Sequence, residues 1–203
     1  MAFLPGFQTY RDDIKTRERA SEEDEHVLST VDILIDYLRK DYRTTVAAFE
    51  NLTSHGEITF DLLFALMVPR SIMVTTCPVT GEPQALQLTS ATKIRTPSGF
   101  IYNLICEGID GDDSDTPNAK GFCRVQSRVI LPSFNGTVKL TSLDAYPIQF
   151  HPREAELKRS LIARGRKWAS LTGVQAHHMH YKGTGAFKCQ GKVIKYNVRD
   201  TDF

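Results

Sequence analysis

The residues best placed to do chemistry lie between positions 150 and 190. On a wheel of about 100° per residue, Leu157, Leu161 and Trp168 fall within about 40° of one another and make an apolar stripe on a basic helix. Arg164 falls inside that stripe, which predicts a guanidinium on the core side. Such a group needs a carboxylate, carbonyl oxygens or a bound anion, because burying an unpaired charge is costly. Gly165 sits mid-helix, where glycine costs about 1 kcal/mol against alanine, and is read as room for close approach to the backbone. A structural arginine paired with an acid on a sheet accounts for this pair, and so does a site for an anion or partner peptide. Lys158, Arg159, Arg166 and Lys167 point away and read as a solvated face.

Downstream stands His177-His178-Met179-His180. In a strand, His178 and His180 share one face at the two-residue period, as some metal sites require. The neighbours Tyr181, Lys182 and Thr184 supply no carboxylate as a third ligand, so no metal is assigned and surface or hydrogen-bonded histidines are expected. The acidic run from Asp110 to Asp115 fails the calcium-loop pattern: its sixth position is Asp115 where glycine is required, and its twelfth is Gly121 where glutamate is required. Lys182-Gly183-Thr184-Gly185 has no helix after it. Gly185 and Gly191 are separated by five residues where a P-loop has four, and Val193 stands where a hydroxyl would hold magnesium. No nucleotide, metal or other cofactor is expected.

Twenty-five basic and 24 acidic residues leave a net charge of +1, which does not favour nucleic-acid binding through a bulk field. The four cysteines are widely spaced, and the first residues resemble no signal peptide. Reduced thiols in a cytoplasmic, non-secreted protein follow as the expectation. No apolar run is long enough to span a membrane.

Three stretches of chain must position these residues. Residues 1–20 read as a loose arm. Residues 21–56 read as one long N-terminal helix with a stripe of Val27, Val31, Leu34, Leu38, Tyr42, Val46 and Phe49, available for packing or for pairing with a second chain. Residues 57–203 read as an α+β domain. Within it the pattern predicts a short buried helix over Ile58–Met67, which Pro69 ends. Strands follow over Ser71–Thr76, Gln84–Ile94, Gly99–Glu107, Phe122–Leu131 and Gly136–Leu143. The basic helix runs from Pro152 to Leu171, and two strands close the chain over His177–Cys189 and Val193–Val198. Regularly spaced short strands imply an antiparallel β-sheet or a small, partly closed barrel, with the basic helix packed on it.

The order Phe134-Asn135-Gly136, Tyr146-Pro147, Arg164-Gly165, Tyr181-Lys182-Gly183, preceded by LMVPRSIMVTT at Leu66–Thr76, resembles a domain of unknown function found upstream of the ATPase module in fungal AAA-type ATPases. The resemblance runs from about Asp61 to Val198. It implies a non-catalytic accessory domain that recognises a protein substrate or regulates a covalently linked AAA ATPase, whose module would follow this chain. Arg164, Gly165, Tyr181 and Gly183 are its candidate ligand- or partner-binding residues, and it supplies no catalytic ones. The alternative is a small stand-alone enzyme or ligand-binding protein with a pocket near Arg164 and Tyr181.

Overall fold

The computed structural model describes residues 14, 21–78, 80–111, 122–171, 183–189 and 192–198. The chain is α+β. Helices α1 (Glu22–Asp41) and α2 (Arg43–Ser54) meet at Tyr42, and the hydrogen bonds from Tyr42 N to Leu38 O and from Val46 N to Tyr42 O carry the ladder across the junction. The buried stripe differs from the expected one. Val31 and Ile35 are buried, with Val27, Leu38 and Val46 against them, whereas Leu34 and Tyr42 are exposed. Phe49 turns instead to the main core. A stripe every three or four residues drifts around a helix, and packing decides which of two adjacent apolar residues faces inward.

The expected helix over Ile58–Met67 is instead strand β1 (Glu57–Thr59) followed by a 3₁₀ helix over Phe60–Ala65. Ile58, Phe60, Leu63, Leu66 and Met67 are all buried, so the apolar run is a core segment, as its composition requires. Ladder pairing of β1 with β6 (Thr137–Lys139) overrides helical propensity at its start.

Strands β2 (Ile72–Thr76), β3 (Pro83–Thr96), β4 (Gly99–Gly111), β5 (Phe122–Pro132) and β7 (Ala145–Pro147) form one antiparallel sheet in the order β5-β4-β3-β2-β7. The sheet is open, with β5 and β7 at its edges among the described residues, and does not close into a barrel. The side-chain period of two assigns its faces. Met73, Leu86, Leu88, Cys106, Leu104, Tyr102 and Leu131 lie on one face and make the main core with the 3₁₀ segment, Leu140 and Ala145. Lys93 closes this core at its rim. Its ammonium lies 5.1 Å from the Phe60 ring centre, 5.0 Å from that of Phe100 and 3.4 Å from the Asp61 carboxylate.

The opposite face carries Val74, which packs with Tyr146 and Ile148 beneath Leu157 and Leu161 of helix α3 (Glu154–Leu171). This is the basic helix, seated on the sheet by two of its three expected anchors. The third, Trp168, packs on Phe122, ring centres 5.3 Å apart. The remaining strands β8 (Gly183–Cys189) and β9 (Lys192–Val198) form a hairpin, with Gly183 opposite Val198. The expected strand over Gly136–Leu143 shortens to β6 plus a 3₁₀ turn at Leu140–Ser142. Gly136, at φ +74°, provides the left-handed turn before it.

Candidate functional site

Helix α3 descends along the sheet with Leu157 and Leu161 in contact, and a cleft of about 660 Å³ opens between its last two turns and the strands. Ile72, Ala85 and Leu86 form the floor on β2 and β3, Ile109 and Phe122 stand on β4 and β5, and Trp168 closes the helix side. Gly108 lines the same cleft, and a Cβ there would come within 3.0 Å of Leu86 Cδ2, so a larger residue would press on Leu86. Ile72, Ile109 and Phe122 are exposed around the opening, Ile109 at 72%.

Two lining residues are an acid and a base, and they face one another: Arg124 Nη1 lies 3.5 Å from Glu107 Oε2. Each offsets the other, and the walls about them are apolar or aromatic. Cys106, one residue from Glu107, points to the opposite face and is buried; burial pushes its thiol above the ordinary value of 9.0 and keeps it protonated. Among the described residues no group of three His, Cys, Asp or Glu side chains is gathered to hold a metal ion. The arrangement suits capture of apolar or aromatic side chains with one polar anchor.

The four residues proposed from sequence divide. Arg164 is exposed, not on the core side as the wheel predicts, yet its Nη2 donates to the carbonyl of Pro83 at the start of β3. The long side chain lets the guanidinium leave the stripe and reach a carbonyl at the N-terminal end of β3 while remaining in water. Gly165 lines the cleft, but among the described residues no atom beyond its own helical backbone and chain neighbours lies within 4 Å of where its Cβ would stand. The glycine therefore widens a space and does not admit a neighbouring backbone. Gly183 is a backbone position in the β8–β9 hairpin and is not among the described residues lining the cleft. Tyr181, with His178 and His180, lies outside the described residues. Sequence reasoning missed Ile72, Glu107, Ile109, Phe122 and Arg124, whose sheet partners alone bring them beside the helix. For Ile72, Ile109 and Phe122 the signal was weak, apolar residues at positions where strand alternation predicts polar ones; Glu107 and Arg124 gave none.

An open antiparallel sheet with a helix on one face and an apolar cleft between them defines an α+β fold. Residues 48–152 match the family described as Domain of unknown function (DUF7025), and the chain belongs to that family. The match ends before α3, so Arg164 and Gly165 lie beyond it, and it carries no association with an ATPase. Comparison with curated proteins and with solved structures returned no match. No described helix is long and apolar enough to cross a membrane.

Proposed function

We propose that this chain is a non-catalytic binding module whose α3 cleft takes an apolar or aromatic side chain of a protein substrate, in the service of an AAA ATPase that it accompanies or regulates. One observation carries the reading: exposed Ile72, Ile109 and Phe122 ring a 660 Å³ cleft closed by Trp168, whose described ionisable groups already neutralise one another. A contiguous apolar opening of this kind marks an interaction surface more often than a reaction centre. Resemblance to the domains that precede fungal AAA ATPase modules supports the link to a motor.

The chain has a single tryptophan, so its emission reports on the cleft directly. Short peptides bearing phenylalanine or leucine should shift Trp168 emission to the blue on binding, and Ala169→Arg should abolish the shift with the fold intact. Binding that survives Ala169→Arg unchanged would remove the cleft from the reading. A motor-linked role further expects added protein to change the rate of ATP hydrolysis by its ATPase.

The cleft volume also favours a second reading, a small-molecule site, since such sites commonly span about 300–1,000 Å³. A ligand-dependent rise in melting temperature, lost in Ala169→Arg, separates it from peptide capture when no peptide moves Trp168 emission.

A further inference from the structure

The two edges of the sheet are built differently. Strand β7 has three residues, ends at Pro147 and runs straight into a 3₁₀ turn, which blunts that edge. Strand β5 has 11 residues and pairs with β4 from Phe122 to Pro132 without a break in register. Beside it lies a second depression of about 750 Å³, bordered by Gln126–Ile130, Thr75, Gln84 and the segment Thr141–Asp144.

The backbone of β5 has a direction that one hydrogen bond fixes. Ser133 N donates to Phe100 O at 2.9 Å, which makes Phe100 and Ser133 a hydrogen-bonded pair. In an antiparallel ladder such pairs alternate, so Cys123, Val125, Ser127, Val129 and Leu131 turn their amides to β4. Phe122, Arg124, Gln126, Arg128 and Ile130 therefore turn theirs outward, and among the described residues no strand receives them. Pro132, which has no N–H to offer, falls in the outward set, where proline is tolerated.

Side chains alternate with the same period. Arg124 and Arg128 project on the α3 side, Arg124 beside Glu107 with its side chain 79% exposed and Arg128 donating through Nε to Asn103 Oδ1, and Val125 and Val129 project on the other. We infer that β5 is a docking edge for an extended segment of a partner protein that alternates acidic and aliphatic residues, the acids meeting Arg124 and Arg128 and the aliphatics meeting Val125 and Val129. Opposite charges placed directly across a ladder attract, and like charges repel. The same rule opposes a second copy of the chain as occupant in three registers. Antiparallel self-pairing centred on Arg124, Gln126 or Arg128 sets arginine directly against arginine. This inference stands on the strand edge and does not rest on the proposed function, although Arg124 also lines the α3 cleft.

The test uses a capped, fluorescein-labelled nonapeptide of alternating glutamate and valine. Anisotropy should report saturable binding, and amide exchange at Phe122, Arg124, Gln126, Arg128 and Ile130 should slow. The same peptide with lysine for glutamate should bind at least about tenfold more weakly, as should the glutamate peptide to Arg124→Glu/Arg128→Glu. Gln126→Pro removes an outward N–H and no β4–β5 bond, so it should keep the fold and lose the peptide. If that variant fails to fold, N-methylation of alternate peptide amides supplies the same block from the other side. Equal binding of the lysine peptide, or binding untouched by both backbone blocks, overturns the inference. So does absence of binding together with self-association of Arg124→Ser/Arg128→Ser, which would make the arginines guards against edge pairing only. A peptide-induced shift of Trp168 emission that survives Ala169→Arg, with nonapeptide binding intact, would sink the cleft reading alone.

Discussion

Replacing Gly165 with alanine tests whether the cleft is open space in solution. The position lies in the interior of an 18-residue helix, where glycine costs about 0.8–1.0 kcal/mol against alanine through backbone entropy and lost helix propensity. A steric term could oppose this gain, but no described atom beyond the helix's own backbone and the chain neighbours stands within 4 Å of the Cβ position, so that term is near zero. Gly165→Ala is therefore expected to stabilise the chain by about 1 kcal/mol, which for a domain of this size raises Tm by about 2–4 °C. Urea midpoints and thermal scans of the two proteins, followed through Trp168 emission and far-UV dichroism, measure it. The sequence alone predicts that Gly165→Leu destabilises, by overpacking of about 1–3 kcal/mol. If Gly165→Ala proves less stable than the parent, the space beside the helix is filled, and the cleft cannot receive a partner's side chain.

Leu104→Ala, at the centre of the sheet and fully buried, should cost about 2–5 kcal/mol in urea unfolding, whereas Ile109→Ala, 72% exposed on the same strand, should fall within about 0.5 kcal/mol. Equal effects would contradict the assigned faces of β4. Burial raises Tyr102 and Tyr146 above the ordinary 10.0 and Cys106 above 9.0. The unfolded chain then releases these protons first, so stability is fully present below about pH 9 and falls as pH rises through these values. Urea midpoints from pH 8 to 11 should show that decline, and Tyr102→Phe with Tyr146→Phe should flatten it; an unchanged slope refutes the assignment. Arg164→Ala removes one exposed hydrogen bond to Pro83 and should shift stability by no more than about 0.5 kcal/mol; a loss above about 1 kcal/mol would restore the buried arginine that the wheel predicts.

The α+β class, the strand order along the chain and the helix over Glu154–Leu171 were legible in the sequence, because each rests on local periodicity. Two-residue alternation marks β4 and β5, turn residues separate them, and Leu157 and Leu161 mark the face of α3 that meets the sheet. The segment Ile58–Met67 shows where local reading ends: its apolar run fixes burial, but ladder pairing of Glu57–Thr59 with Thr137–Lys139 decides that it starts as a strand. Arg164 was found by spacing and misplaced by it, since a wheel gives the direction of Cβ and not the reach of a flexible side chain. The cleft was legible only through Gly165 and Trp168. Glu107, Ile109, Phe122 and Arg124 join them from strands paired in one register, and that register is set by burial of the opposite face of the sheet. A one-residue slip would have turned all four away from the helix, so residue types and spacing determined the elements, and only tertiary packing decided which side chains share a site.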